Sequence, residues 1–399
     1  MVDVPRWGVD GEALPAANDR QSPIGEFGRA QEARSFLDED APGRWAFDAK
    51  RHIDLSQDVS PGSLEVRALA VIPCLNEAAH IAPLIQRLLA DDRWSDPLVV
   101  VADGGSTDGS REIVSGIAAS DPRVRLLDNP RRLQSAGVNL AAATFGRDRR
   151  WMVRVDAHCD YPANYVSGLV AEARRVGAAS VVVSMCTKGR GGFQNAAAAA
   201  QNSVLGAGGS AHRGSGRSGW VDHGHHALFD MEHFLGAGGY DETFGANEDA
   251  EFDVRLAQAK GRIWLSHELQ VTYYPRTNAP ALFRQYLNYG QGRARTLLRH
   301  HVRPKLRQLL PVAVAPAVIA MPLALIEPAL ALPGLIWASA SLALGAVIGV
   351  RKRDPAAAAS GVAAMIMHMA WSLGFWRQLL IAGRPKTPAR PPVGDVVRS

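Results

Sequence analysis

The chain has 399 residues, 47% of them hydrophobic, which suffices for one large or two medium domains around a buried core and excludes an intrinsically disordered protein. A formal net charge of +5 suits nucleic acid, an anionic membrane or phosphorylated substrates, so its placement must decide, and much of it lies between Arg284 and Arg307. Cys74, Cys159 and Cys186 are too far apart for a disulfide framework or a zinc spacing, which favours a reducing, cytoplasmic setting.

Residues 1–65 are rich in Pro, Gly, Asp and Arg without a sustained period and are expected to form a flexible leader. They lack the basic start and apolar stretch of a secretory signal, so the folded part is expected to stay in the cytoplasm. From "ALAVIP" onward strands and helices alternate. A helix is expected from about Glu77 to Ala90, then the strand "PLVVVAD", a helix from about Gly109 to Ala119, the strand "RVRLLD", a helix near Ser135 to Ala143, and the strand "WMVRVD". This alternation predicts right-handed βαβ units and an α/β fold with a mainly parallel sheet. The Gly- and Ala-rich run Lys188–Gly219 breaks the rhythm and reads as a mobile loop around a short helix.

The C-terminal third is apolar. Leu309–Ile326 and Pro328–Val350 are uncharged, Glu327 lies between them, and Ala356–Trp376 contains only His368 as an ionisable group. At about 1.5 Å per residue such lengths suit a hydrocarbon core of about 30 Å, and the basic flanks favour a membrane over buried core helices. Prolines at 311, 316, 322, 328 and 333 leave room for re-entrant or interfacial helices. The clusters "RPKLR", "RKR" and "RPK" cannot all face the cytoplasm if there are three full crossings. The expected division is a leader over 1–65, a catalytic domain over 66–300, membrane helices over 301–383 and a basic Pro-rich tail over 384–399.

The residues suited to chemistry stand at strand ends. In "VVVADGGSTDGS", Asp103 ends a strand, the glycines allow a tight turn, and Ser106, Thr107 or Asp108 can cap the next helix. Asp103 could accept the imide N–H of a uracil, although a well-capped βα turn accounts equally for the stretch. "VIPCLNEAAHI" repeats this geometry one unit earlier, placing Asn76 and Glu77 where they could reach a ribose or a base, or simply cap. In "RVDAHCDYP" two carboxylates and an imidazole follow an apolar run, as a metal grip or a polar turn would require. In "GANEDAEFDVRLAQAKG", Asn247 can cap a helix whose first turn gathers Glu248, Asp249 and Glu251, with Arg255 four residues beyond Glu251. His223, His225 and His226 lack a partner at zinc spacing. Neither early turn carries a dinucleotide or P-loop signature. The run from Phe283 to Gln308 alternates arginines with aromatic and aliphatic residues, as on an anionic membrane surface, and no nucleic-acid motif accompanies it.

Together these segments resemble the family 2 glycosyltransferases of the GT-A fold. In that family the first strand ends in P-x-x-N-E, matched by Pro73, Asn76 and Glu77, and the second in D-G-S-x-D-G, matched at Asp103 with one glycine more. A later strand ends in D-x-D, whose carboxylates bind a divalent ion under a sugar-nucleotide diphosphate; here Asp156 and His158 occupy it, a mixed N/O pair that would take Mn²⁺ more readily than Mg²⁺. The resemblance gives Asp249 the role of catalytic base and Glu248 a supporting one. It places Asp103 and Glu77 at the uridine, and the glycines of "LGAGGSAHR" with Arg213 could, by position and charge, close over the diphosphate. Gln291, Arg293 and Arg295 fall where processive members carry Q-x-x-R-W, but without the tryptophan, and Arg293 is assigned to the nucleotide-sugar.

"DAH", "DHGHHALF", "ANEDAEFDVRL" and "YGQGRAR" narrow the likeness to enzymes that extend lipid-linked oligosaccharides of bacterial exopolysaccharides, of the succinoglycan glucosyltransferase type. That implies inverting transfer from UDP-glucose to a sugar on a polyprenyl diphosphate, and the missing tryptophan with too few apolar segments for a polymer channel favours addition of a single sugar. The setting implied is the cytoplasmic face of a bacterial inner membrane, among membrane lipid and other exopolysaccharide assembly proteins, with no nucleic acid. The rival readings are a sugar-nucleotide pyrophosphorylase, which would need a basic glycine-rich N-terminal loop, and a non-catalytic membrane scaffold.

Overall fold

The computed structural model describes residues 65–382 except 211, 212, 214, 215 and 305. The leader, apart from its last residue, and the 384–399 tail lie outside the described residues. The first half runs β1 (Ala68–Cys74), α1 (Ile81–Leu89), β2 (Leu98–Asp103), α2 (Ser110–Ser120), β3 (Val124–Asp128), α3 (Gln134–Phe145), β4 (Trp151–Arg154) and β5 (Cys159–Asp160). It continues with α4 (Tyr165–Val176), β6 (Ser180–Thr187), α5 (Gly192–Gln201), α6 (Val204–Ala207), β7 (Gly219–Val221), β8 (His225–Asp230), α7 (Met231–Gly236), α8 (Glu248–Gln258) and β9 (Ile263–Tyr273). The chain then becomes helical: α9 (Ala279–His300), α10 (Leu306–Ala320), two 3₁₀ turns, α11 (Leu332–Lys352), α12 (Pro355–Ala358) and α13 (Ser360–Ala382).

Among the described residues the strands form one sheet in the order β3-β2-β1-β4-β8-β6-β9-β5, with β7 on β9. β1 pairs in parallel with both β2 and β4. Residues 68–72 of β1 are wholly buried because helices cover both faces of the sheet, which is why the strand reads as a continuous apolar run and not as an alternation. β8 enters antiparallel between β4 and β6, and β9 runs parallel to β6. The connections from β1 go to one side and those reaching β4 to the other, opening a crevice at the carboxyl ends of β1 and β4.

α1 buries Ile81, Leu84, Ile85 and Leu88 at helical spacing. It begins at Ile81, not Glu77: Asn76 is held at φ +59°, and the Glu77 carbonyl accepts from the amides of both His80 and Ile81 in a preceding turn. The short helix expected within Lys188–Gly219 is the ten-residue α5, whose buried Ala196, Ala197 and Ala200 cluster with Leu282, Ala363, Ala364 and Met367. α9 lies along α13 so closely that a Cβ on Gly290 would strike the Trp371 carbonyl, and one on Gly374 the Leu287 carbonyl. Among the described residues, three C-terminal stretches, Gln308–Leu325, Pro328–Lys352 and Pro355–Ala382, are long and apolar enough to span a membrane. Leu325 is 96% exposed and Leu310 74%, apolar surface that suits lipid.

Candidate active site

The crevice is furnished first by the turn after β2. Asp103, with 1% of its side chain exposed, accepts from the Gly105 amide at 3.0 Å and the Ser106 hydroxyl at 2.5 Å, and Arg111 approaches to 3.4 Å. Asn76 at the end of β1 accepts from the Thr107 amide at 2.9 Å, while its own amide donates to the Ser106 hydroxyl. Pro73 pairs with Ala102 in the sheet. The structure therefore brings Pro73, Asn76 and Asp103 together in two interlocked βα turns. Asp108, expected as a possible cap, accepts from the Ser110 amide at 3.0 Å in the first turn of α2.

β4 delivers the charged centre. Arg154 ends the strand with 5% of its side chain exposed and reaches Asp249 Oδ1 at 2.6 Å, Glu248 Oε1 at 3.3 Å and Asp156 Oδ1 at 3.6 Å. The Tyr240 hydroxyl donates to the same Asp249 oxygen at 2.5 Å, and its ring lies 5.7 Å from the guanidinium. Asp156 is fixed from behind: its amide donates to the Tyr161 hydroxyl at 2.7 Å, and Gln134 Nε2 donates to its Oδ1 at 2.9 Å. Burial works to raise the Asp156 carboxyl, but Arg154, His225 and His158 hold it below the usual carboxylate range. Glu248 goes the other way: burial, with Asp249 adding to it, pushes its carboxyl up against the pull of Arg154.

Two imidazoles flank Asp156. His225 Nε2 on β8 stands 3.4 Å from Oδ2, and burial lowers its pKa, which favours the neutral ring. His158 turns aside, its Nδ1 at 3.0 Å from Glu77 Oε1, while Glu77 Oε2 meets His80. Glu77 thus links the first βα turn to the D-x-H segment. Asn247 does not cap α8: it sits at φ +63° and its side-chain amide donates to the Tyr289 carbonyl at 2.6 Å. Glu251 is wholly buried and ties Arg255 and His300 together. Arg213 donates to Thr187 Oγ1 at 2.7 Å over the Tyr273 ring.

Asp156, His158, His225, Glu248 and Asp249 line one cavity of about 790 Å³, which Arg213 and Arg293 also line. Sequence reasoning had no signal for Tyr240 or Gln134, which meet Asp249 and Asp156 only through the fold. Arg154 and His225 stood inside quoted segments without a role there. His225 was visible only as one imidazole of a cluster with the wrong spacing for zinc.

Residues 69–234 match the model of glycosyl transferase family 2. The chain is 50% identical over 313 residues, 78% of its own length and 95% of the relative's, to the succinoglycan biosynthesis protein ExoA of Rhizobium meliloti. It belongs to glycosyltransferase family 2. A solved structure, the mannosyltransferase PcManGT from Pyrobaculum calidifontis in complex with GDP-Man and Mn²⁺, matches with a TM-score of 0.56 at 18% identity, over 89% of this chain and 96% of that one. At that identity the likeness shows the fold alone, and the fold is GT-A.

The solved structure of this fold holds Mn²⁺, and the donor set of this chain would accommodate a divalent ion. Among the described residues no three His, Cys, Asp or Glu side chains already surround a common point. The 3.4 Å between Asp156 Oδ2 and His225 Nε2 nevertheless suits two neighbours on one ion, and His158, 43% exposed, lines the same space. Hard ions of this kind are commonly held by one or two protein side chains and completed by substrate phosphates.

Proposed function

We propose that this family 2 glycosyltransferase moves a single sugar, glucose, from UDP-glucose to a polyprenyl-diphosphate-linked glycan during bacterial exopolysaccharide synthesis, with inversion. The observation carrying this reading is Arg154, which holds Asp156 and Asp249 at one cavity beside membrane-type helices. The relative's role in succinoglycan biosynthesis supports the polymer class. The family favours transfer over the pyrophosphorylase alternative. The functional division into a 66–300 catalytic part and 301–383 membrane helices, facing the cytoplasm at an inner membrane, belongs to the same proposal, as do further assembly proteins as partners.

Asp103 and Glu77 orient the uridine beside Pro73 and Asn76, and Arg213 and Arg293 receive donor diphosphate charge. Asp156 and His158, with His225, would hold Mn²⁺ or Mg²⁺, which supplies neutralisation of the charge that grows as the nucleoside diphosphate leaves. Asp249 takes the acceptor hydroxyl's proton as that oxygen attacks the anomeric carbon from the face opposite the breaking C–O bond. Arg154 and Tyr240 keep Asp249 aimed, and Glu248 supports it.

The test is release of UDP by full-length protein in native membranes, given a panel of radiolabelled UDP-sugars and a polyprenyl-linked acceptor. UDP-glucose should turn over, chelation should stop it, and Mn²⁺ or Mg²⁺ should restore it. Asp249→Asn should lower kcat by about 10²–10⁴-fold, the usual worth of a general base. Equal turnover in both proteins would remove the base.

A further inference from the structure

The cavity does not stop at the carboxylates. It continues between α9 and the apolar helices α10 and α13, where Arg276, Arg284 and Asn288 stand beside Pro311, Met367 and Trp371. Arg284, Gln285, Asn288 and Tyr289 recur at the three-to-four-residue spacing of one helix face, so α9 presents a polar strip to the cavity along successive turns. Its other contacts press it against α13 through Gly290. Arg276 and Arg284 are exposed, and among the described residues neither side chain makes a hydrogen bond or ion pair. Two guanidiniums that line the cavity and have no carboxylate partner among the described residues answer an anionic ligand, and the planar fork suits phosphate oxygens. The neighbouring wall is hydrocarbon-like and belongs to stretches suited to span a membrane.

We infer that this outer part of the cavity is a subsite for a lipid diphosphate. Arg276 and Arg284 take the phosphates, Asn288 adds an amide donor, and the first hydrocarbon units lie against Pro311, Met367 and Trp371. The ligand enters from the bilayer along α9 and presents its sugar toward Asp249. This deepens the proposed function and rests on it for the acceptor class, but it assigns the anion and chain subsites to residues outside the family motifs. Neither a water-soluble diphosphate nor a neutral lipid satisfies both walls.

The experiment is saturation binding of radiolabelled farnesyl diphosphate to the full chain in phosphatidylcholine nanodiscs, with empty nanodiscs subtracted. Binding should be saturable, weakened about tenfold or more in Arg276→Gln/Arg284→Gln as expected on losing two charge-assisted contacts. The paired lysine variant should restore most of it, and Arg351→Gln, at the far end of α11, should bind as wild type does. Farnesol and inorganic pyrophosphate should both compete poorly. Pyrophosphate competing as well as farnesyl diphosphate overturns the lipid source and leaves an anion subsite only. Farnesol competing equally, no saturable binding, or unchanged binding in the glutamine pair overturns the subsite. The measurement needs no turnover, so its failure leaves sugar transfer from UDP-glucose standing, whereas failure of the UDP-release test leaves this binding result intact.

Discussion

A guanidinium enclosed with three carboxylates and a phenol gains from each of them what it lost in leaving water, and the carboxylates gain in return. Arg154 occupies that position among Asp156, Glu248, Asp249 and Tyr240. Arg154→Gln should therefore cost about 3–5 kcal/mol of stability, the range for breaking a buried charge pair. It should also depress kcat with Asp156 and Asp249 both present; thermal unfolding read beside UDP release checks the two effects. Tyr240→Phe removes only the hydroxyl that donates to Asp249. A hydrogen bond to a charged group is worth about 1.5–3 kcal/mol, so kcat should fall by about 10–100-fold with the donor KM little changed. Asp156 and Asp249 were legible in the sequence because each stands at a strand or helix end inside a recognisable stretch. The bond between Arg154 and Asp249 spans 95 positions, and no local spacing encodes such a contact. Asn247 misled for a related reason: asparagine serves equally as a helix cap and as a residue in the left-handed region, and here its amide is used by Tyr289 instead.

Elements show the same division. β1, β2 and β4 were readable because strands buried on both faces demand apolar runs, and the turns between them demand small or capping residues. The antiparallel insertion of β8 between β4 and β6 was not, since the pairing of a strand with distant partners leaves no periodic trace. The short helix expected inside the Gly- and Ala-rich run is α5, but its packing was not readable: its alanines are small where α13 approaches. The α9–α13 contact takes the same device further. Gly290→Leu should force the two helices apart, because any side chain there meets the Trp371 carbonyl. Faster proteolysis between α9 and α10 and a lower Tm in detergent are the expected readings. At the α8–α9 junction, burial opposes the ionised Glu251, but the hydrogen bonds from Arg255 and His300 prevail and hold its pKa below the ordinary value. A lowered carboxylate contributes stability that is complete above the unfolded value of about 4.3 and is lost as pH falls through the folded one. Acid titration of Tm should accordingly be steeper below about pH 4.3 for the wild type than for Glu251→Gln.

For the molecule as a whole, the membrane helices and the sugar-transfer fold share packing. Leu282 of α9 and Ala196, Ala197 and Ala200 of α5 are buried with Ala363, Ala364 and Met367 of α13. Ending the chain after residue 305 should expose these faces together, so the shortened protein should aggregate on size-exclusion chromatography in the absence of detergent, where a tethered soluble domain would stay monodisperse. The link extends to the cavity mouth. His368 of α13 accepts from Trp337 of α11 and donates to the backbone carbonyl of Leu205 at 2.8 Å, and Leu205 lines the cavity. Through these contacts a change in how α11 and α13 tilt would reach the rim of the cavity. Lipids of graded acyl length, by altering that tilt, should change turnover without any change in donor concentration. Synthesis would then be throttled by the thickness of the surrounding bilayer.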